Sequence, residues 1–326
     1  MPGMKITHIL ERGVLDAHDP VPDDGPFTLA TALDAGLTRR NLTDLAREGI
    51  LRRPIRGIYV LTQAGDSLAL RAACLRLVAP PDAVVVDRHA GWLLGADMVL
   101  APGEHLALRP LSLYRPSGHG RLRNQICASG ERMLSDRDVV ELHGLRVTTA
   151  LRTACDLGRV RWTDQAIAGM DALARLGTFS RNELIQEIER FRGHRFVTTA
   201  RAVALLVDGR SESPGESVLR LRCHESHLRS MTPQVSVYDG DVFVARLDLA
   251  DQAQMLAAEY DGLEWHSTAT QLERDRRRRE AVQDLGWIVK AFTSADVFGP
   301  QRVVDSVLAE ARREARRRRG LNVWGT

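Results

Sequence analysis

Read from its N-terminus, the chain alternates stretches of helical periodicity with short apolar runs that suit strands. Residues 4–15 (MKITHILERGVL) space their apolar side chains as a first helix, and a polar loop over 16–26 follows. Within FTLATALDAGLTRRNLTDLAREGILRRPIRGIYVL, Thr28 is placed to cap a helix to Ala35, Gly36 to turn the chain, and Thr38 to cap a second helix. The second helix directs Leu42, Leu45 and Ala46 inward and leaves Arg39, Arg40, Asn41 and Arg47 on its other side. After Gly49, ILRRPIRGIYVL reads as two short strands around a turn, with Arg52, Arg53 and Arg56 along them.

Two helices, a turn and a basic hairpin are the parts of a winged helix-turn-helix. In that design the second helix enters the major groove and the wing touches phosphate. A small helical domain for protein contact is the other reading of the same pattern. Downstream, a helix is expected over 66–77, then a strand in AVVVD, then RHAGWLLGADM and a Pro- and Gly-rich stretch. Two further strands are expected around 125–128 and 145–148, before TTALRTACDLGR and amphipathic helices over 163–207.

The C-terminal third concentrates acidic residues. Val242, Val244, Arg246 and Asp248 share one parity of a strand, a polar turn is expected over 250–254, and an apolar run over 255–260 ends in Glu259-Tyr260-Asp261-Gly262. The short turn makes a hairpin the simplest arrangement, which brings Asp248 and Glu259 together. Adjacent carboxylates repel unless a cation lies between them. Mg²⁺ is held by such carboxylates with waters and phosphate oxygens, as metal-assisted phosphodiester hydrolysis requires. His266 follows the strand and can move a proton near neutral pH. A helix over 269–285, closed by Gly286, sets Leu272, Val282 and Leu285 inward with Asp275 on the same face, while most of its arginines point outward. Upstream, Ser213-Pro214-Gly215-Glu216 opens another helix; Ser213 and Glu216 are also the pattern of a capping box. The tail over 303–319 begins as an amphipathic helix and ends in RREARRRRG, either a DNA-backbone contact or a solvated helix end.

Composition adds bounds. The chain has 326 residues, enough for two or three domains. No apolar run approaches a bilayer span and the N-terminus lacks a signal pattern, so a cytoplasmic protein without membrane partners is expected. Cys74, Cys127, Cys155 and Cys223 lack CxxC spacing and are expected to be reduced core thiols. Net charge is only +3, but arginines cluster at 39–40, 52–53, 274–279 and 312–319, and Lys5 and Lys290 are the only lysines. Clustered arginine suits phosphate contact.

The order Glu216, Asp248, Glu259-Tyr260-Asp261, His266, Asp275 and LGWIVKAF, with its "E-x-D-G … H … RD … GW-x-V" pattern, resembles the Vsr-like branch of the PD-(D/E)XK nuclease superfamily over 212–310. The resemblance implies Asp248 as principal metal ligand with Glu259, Glu216 as a helix-borne metal or water ligand, His266 as the proton-transfer or phosphate-polarising group, and Asp275 as a supporting acid. It implies Mg²⁺, with Mn²⁺ able to substitute. The superfamily's lysine two residues after the second acid is replaced by Asp261, and Lys290 is the other lysine that could reach in. Over 6–208, the segments RGIYV, RHAGWLLG and GLRVTTALRTACDL resemble the AbiEi-type antitoxin family. That likeness implies a winged-helix repressor using Arg39 to Arg56, with structural roles for His89 and Asp156.

Together these readings describe an α+β multidomain chain. A winged helix-turn-helix over 1–62 is followed by an α/β middle domain with helical connector over 63–208. A restriction-endonuclease-like α/β/α domain with a mixed sheet and a basic C-terminal helix completes it over 209–326. The expected function is DNA binding with a Mg²⁺-dependent endodeoxyribonuclease, in phage defence or a toxin–antitoxin setting, with DNA and a cognate toxin or a second copy as partners. The alternative is an antitoxin-like transcriptional regulator whose nuclease fold only binds DNA.

Overall fold

A computed structural model describes residues 6–13, 19, 21, 22, 25–96, 111–123, 127–262, 269–299, 303–318 and 320. The chain is α+β and forms two compact units, Met1–Thr153 and Ala154–Thr326.

The first unit opens with α1 (Thr7–Arg12), ended by Gly13 in a left-handed conformation (φ 73°) that returns its N–H to the Ile9 carbonyl. Then come β1 (Phe27–Thr28), α2 (Leu29–Asp34), α3 (Arg39–Arg47), β2 (Leu51–Ile55) and β3 (Ile58–Leu61). Both helices start at the expected threonines: Thr28 accepts from the Thr31 N–H, and Thr38 forms a reciprocal capping box with Asn41. The strands form an antiparallel sheet in the order β1-β3-β2, whose β2–β3 turn uses Gly57 at φ 85°. Ile9, Phe27, Ala32, Leu37, Leu42, Leu45 and Leu51 make one core beneath these elements, so the apolar face of α3 is buried as its spacing requires.

The rest of this unit comprises α4 (Leu68–Arg76), β4 (Val84–Val85), α5 (Asp87–Leu93), β5 (Leu111–Pro116), β6 (Cys127–Ala128), β7 (Glu131–Arg132), β8 (Val139–Leu142) and β9 (Leu145–Thr148). A six-stranded mixed sheet runs β6-β5-β4-β9-β8, with β7 on β5. Strand β5 falls at the end of the stretch read as Pro- and Gly-rich. Its Leu111 and Leu113 alternate into the core, a pattern too short and too close to prolines to stand out in sequence. The division between the units falls within α6 (Ala150–Gly158).

The second unit contains α7 (Thr163–Ala174), α8 (Arg181–Ile188), α9 (Val197–Ala204), α10 (Pro214–Glu225), β10 (Thr232–Asp239), β11 (Val242–Asp251), β12 (Leu256–Asp261), α11 (Ala269–Asp284), β13 (Ile288–Thr293), α12 (Ser294–Phe298) and α13 (Val303–Arg318). The sheet order is β10-β11-β12-β13, antiparallel except for the parallel β12–β13 pair. Ala257 and Val289 pack with Val282 of α11, whereas their neighbours Leu256 and Ile288 pack with Ala311 and Ala315 of α13. Because successive strand residues face opposite ways, the sheet is covered by helices on both faces. The helix over α11 ends as expected at Gly286 (φ 91°). Strand β11 runs further than expected, to Asp251. That buried carboxylate accepts from the Ser230 hydroxyl and from Gln254 and so shapes the turn into β12.

Helices α7 and α9, read from sequence as part of a connector, lie in the same unit as this sheet. Asp171 of α7 is fully buried and takes a 2.6 Å bond from Arg220 of α10 and a 2.9 Å bond from the Asp208 N–H; Arg220 also donates to the Leu206 carbonyl. Among the described residues no helix is long and apolar enough to cross a membrane, and all four cysteines are unbridged. Burial pushes the Cys74 thiol up to about 11 and the Cys223 thiol to about 12, so neither is a ready nucleophile.

Asp171→Ala strands the Arg220 guanidinium and is expected to cost about 3–5 kcal/mol in denaturant unfolding. Arg246→Ala removes a half-exposed pair with Glu212 and is expected to cost under about 1 kcal/mol. Equal losses would contradict a central role for Asp171.

Candidate functional site

Two arginine- or acid-bearing surfaces follow from this fold, one in each unit. In the first, the exposed side of α3 carries Arg39, Arg40 and Arg47. Arg47 pairs with Asp44 at 3.0 Å and Arg40 approaches it at 3.9 Å, while Arg39 and Arg56 make no ion pair among the described residues. Three other candidates are engaged with their own scaffold. The Asn41 carbonyl accepts from the Thr38 N–H (2.8 Å) and hydroxyl (2.7 Å), Arg52 donates to the Ala64 carbonyl (3.1 Å), and Arg53 lies 5.4 Å over the Tyr59 ring. The solvent-facing cations of this surface are therefore Arg39, Arg40, Arg47 and Arg56.

In the second unit the β11–β12 ladder pairs Asp251 with Leu256, Ala250 with Ala257 and Leu249 with Ala258, and there the regular pairing stops. The next residues are Asp248 and Glu259. Asp248 replaces the next rung of the ladder, since its Oδ2 accepts from the Tyr260 N–H at 2.9 Å. Glu259, two residues beyond Ala257, shares the face covered by α11. The Tyr260 ring lies on the opposite face, edge-on to Phe298 and so close to Gly215 that a Cβ at residue 215 would overlap it.

Gly215 sits in the first turn of α10, beside Glu216. Ser213 caps that helix by accepting from the Glu216 N–H at 3.1 Å, but the Glu216 carboxylate does not close a capping box. Instead it accepts from the Glu212 N–H and from the Gln234 amide, both at 2.8 Å. Gln234 adopts φ 55°, a strained value for a side chain of this type and one found where neighbouring structure over-determines the backbone.

Asp248 perturbs both other acids. Burial raises the carboxyl of Glu216, and the Asp248 charge adds to the rise. Burial likewise raises Glu259, opposed by Arg278 and reinforced by Asp248. Asp248 is raised by burial, against the Tyr260 N–H and the charge of Arg278. Asp248 is the shared neighbour of all these interactions. Even so, among the described residues no three His, Cys, Asp or Glu side chains are grouped closely enough to hold a metal ion as they stand. His266 and the side chain of Asp275 lie outside the described residues.

Sequence reasoning missed Gln234 and took the α11 arginines to point mostly outward. Arg278 and Arg279 approach Glu259 at 3.7 and 3.9 Å, and Arg279 approaches Asp261 at 3.9 Å. The signal was in the spacing, since both lie three or four residues before the inward Val282. Lys290 is in register with Ala258, on the sheet face opposite Glu259. Gln234 offered no comparable signal, because its role depends on a backbone angle.

Comparison with known proteins gives partial matches. Residues 23–62, which contain β1 to β3 with α2 and α3, match a family described as "Transcriptional regulator, AbiEi antitoxin". Two uncharacterized proteins of Mycobacterium tuberculosis, MT2308 of strain CDC 1551 / Oshkosh and Rv2248 of strain ATCC 25618 / H37Rv, are each 29% identical over 261 residues, covering 80% of this chain and 92% of theirs. The crystal structure of the RV2827C protein from Mycobacterium tuberculosis aligns with 67% of this chain and 80% of its own, at 12% identity and a TM-score of 0.31.

The raised carboxyls have a consequence for stability. A carboxyl whose folded pKa exceeds its unfolded one is penalised when ionised, so the penalty is present above the folded pKa and absent below the ordinary carboxylate range. Glu216→Gln keeps an acceptor for Glu212 and Gln234 and removes a charge facing Asp248. It is expected to melt about 2–4 °C above the parent at pH 8 and level with it near pH ~4. An equal shift at both pH values would contradict the electrostatic cause.

Proposed function

We propose that this protein binds duplex DNA through its N-terminal unit and carries a metal-dependent phosphodiester-cleaving site in its C-terminal unit. The reading is supported by one observation: Asp248, where the strands stop pairing, lies within electrostatic reach of both Glu216 of α10 and Glu259 of β12. Acids raised by burial and by a like charge are costly for stability and are common where function demands them. Their oxygens are hard donors of the kind Mg²⁺ and Mn²⁺ take. Asp248, Glu259 and Glu216 are the residues that would hold such an ion, whose chemistry is to lower the pKa of an attacking water and neutralise charge on phosphate. This chain's own part is to orient Asp248 through the Tyr260 N–H and to hold Glu216 through Gln234. His266, as proton-transfer group, and Asp275, as supporting acid, belong to the same proposal.

For the N-terminal unit, the order helix, strand, helix, helix, strand, strand supports a winged helix-turn-helix. Arg39, Arg40 and Arg47 on α3 face the major groove and its phosphates, and Arg56 forms the tip of the wing. The match of residues 23–62 to an antitoxin-type transcriptional regulator supports DNA as the ligand. It also makes a cognate toxin or a second copy a reasonable partner.

A second reading is favoured by Arg278 and Arg279, which already neutralise Glu259. Here the protein is a transcriptional regulator whose C-terminal unit adds affinity without cleavage.

Supercoiled plasmid incubated with the protein in Mg²⁺, Mn²⁺ or EDTA separates the two. Metal-dependent nicking that falls at least ~100-fold in Asp248→Ala, with DNA binding retained, is the expected result. Retarded but intact plasmid under every ion would select the regulator. Replacing Arg39 and Arg40 together with Ala is expected to weaken binding and to reduce the slope of log K against log[salt] by about one for each phosphate no longer neutralised. An unchanged slope would remove α3 from the interface.

A further inference from the structure

Helix α11 carries two kinds of arginine. Arg276 and Arg277 are engaged by their own helix, hydrogen-bonded to Glu273 at 2.8 and 2.7 Å in exposed pairs. Arg278 and Arg279 face the sheet, yet their distances to Glu259 and Asp261, 3.7 to 3.9 Å, are too long for hydrogen bonds. Attraction at this range is coulombic and leaves the guanidinium donors unused. Arg279 Nε is buried and finds no hydrogen-bond partner among the described residues, a costly state for a donor. Both side chains are partly open, at 41% and 35% exposure, so an incoming group can reach them.

The charge surrounding them points to what that group is. Asp248, Glu259 and Asp261 would repel a nucleic-acid backbone, Asp261 stands where a lysine would offset them, and Lys290 leaves from the other face of the sheet. Arg278 and Arg279 are the cations that face Glu259 among the described residues. Guanidinium groups match phosphate oxygens with paired N–H donors. Building on the nuclease reading above, we infer that Arg278 and Arg279 are the phosphate-binding cations of this site, resting against Glu259 and Asp261 until a phosphodiester group takes their free donors. The exchange releases Glu259 from its counter-charge as substrate arrives, so metal and phosphate are favoured together and each is disfavoured alone.

The test uses the full-length protein, with Mn²⁺ alone as calorimetric probe and plasmid as substrate. Arg278→Ala with Arg279→Ala removes the competing charge, so Mn²⁺ affinity is expected to rise roughly 10-fold. Loss of charge at the phosphate is expected to lower kcat about 100-fold. The paired Lys variant keeps the charge, and is expected to restore Mn²⁺ affinity to the parent value and to recover part of kcat. A purely structural role would lower kcat without tightening Mn²⁺. The inference is overturned if the Ala pair binds Mn²⁺ no more tightly than the parent, or cleaves as fast. If the parent neither binds Mn²⁺ nor cleaves, the nuclease reading itself falls and this inference with it. If the parent does both and only the arginine prediction fails, the nuclease reading stands.

Discussion

The hydrogen bond from the Tyr260 N–H to Asp248 is the interaction on which the acidic site depends. In an uninterrupted ladder that N–H would go to a backbone carbonyl and the two strands would stay paired to their ends. Here a side-chain carboxylate takes it, so β11 and β12 stop pairing beyond Leu249 and Ala258 and Asp248 is held in a fixed orientation. The strand alternation then sends Glu259 to the face of α11 and the Tyr260 ring to the other face, onto Gly215. Because a Cβ at residue 215 would displace that ring, the glycine fixes how closely the first turn of α10, and with it Glu216, approaches the sheet. One residue thus links the strand acids to the helix acid through its backbone on one side and its ring on the other.

This arrangement works against stability. Three carboxyls are held partly or wholly out of water beside like charges, and Gln234 occupies a strained backbone angle to reach one of them. One turn along α10 from Glu216, the buried pair of Arg220 and Asp171 ties that helix to α7. The surface of α3 is built on the opposite logic. Its caps and core are saturated, and its arginines remain in solvent, where a phosphate can be met with little desolvation.

Much of this was legible in the chain. Thr28, Thr38 and Gly286 act locally, through caps and a left-handed turn, and local signals survive in sequence. The meeting of Asp248 and Glu259 followed from a short hairpin between two apolar runs. Other features depended on register and depth. Glu216 carries a capping-box pattern, yet it turns its carboxylate to Glu212 and Gln234. Arg278 and Arg279 lay hidden in a run of four arginines, of which the two nearest Val282 face the sheet. Asn41, Arg52 and Arg53 have the composition of a DNA-contacting surface, but nearby backbone and a tyrosine ring take up their polar or charged groups.

In the proposed function, acids from α10, β11 and β12 share one divalent ion. Substituting Fe²⁺ and adding ascorbate and peroxide produces hydroxyl radicals that cut the polypeptide beside the bound metal. Fragments ending near residues 216, 248 and 259, all suppressed by excess Mg²⁺, are expected. Absence of cleavage at these points, or cleavage confined to another part of the chain, would contradict it.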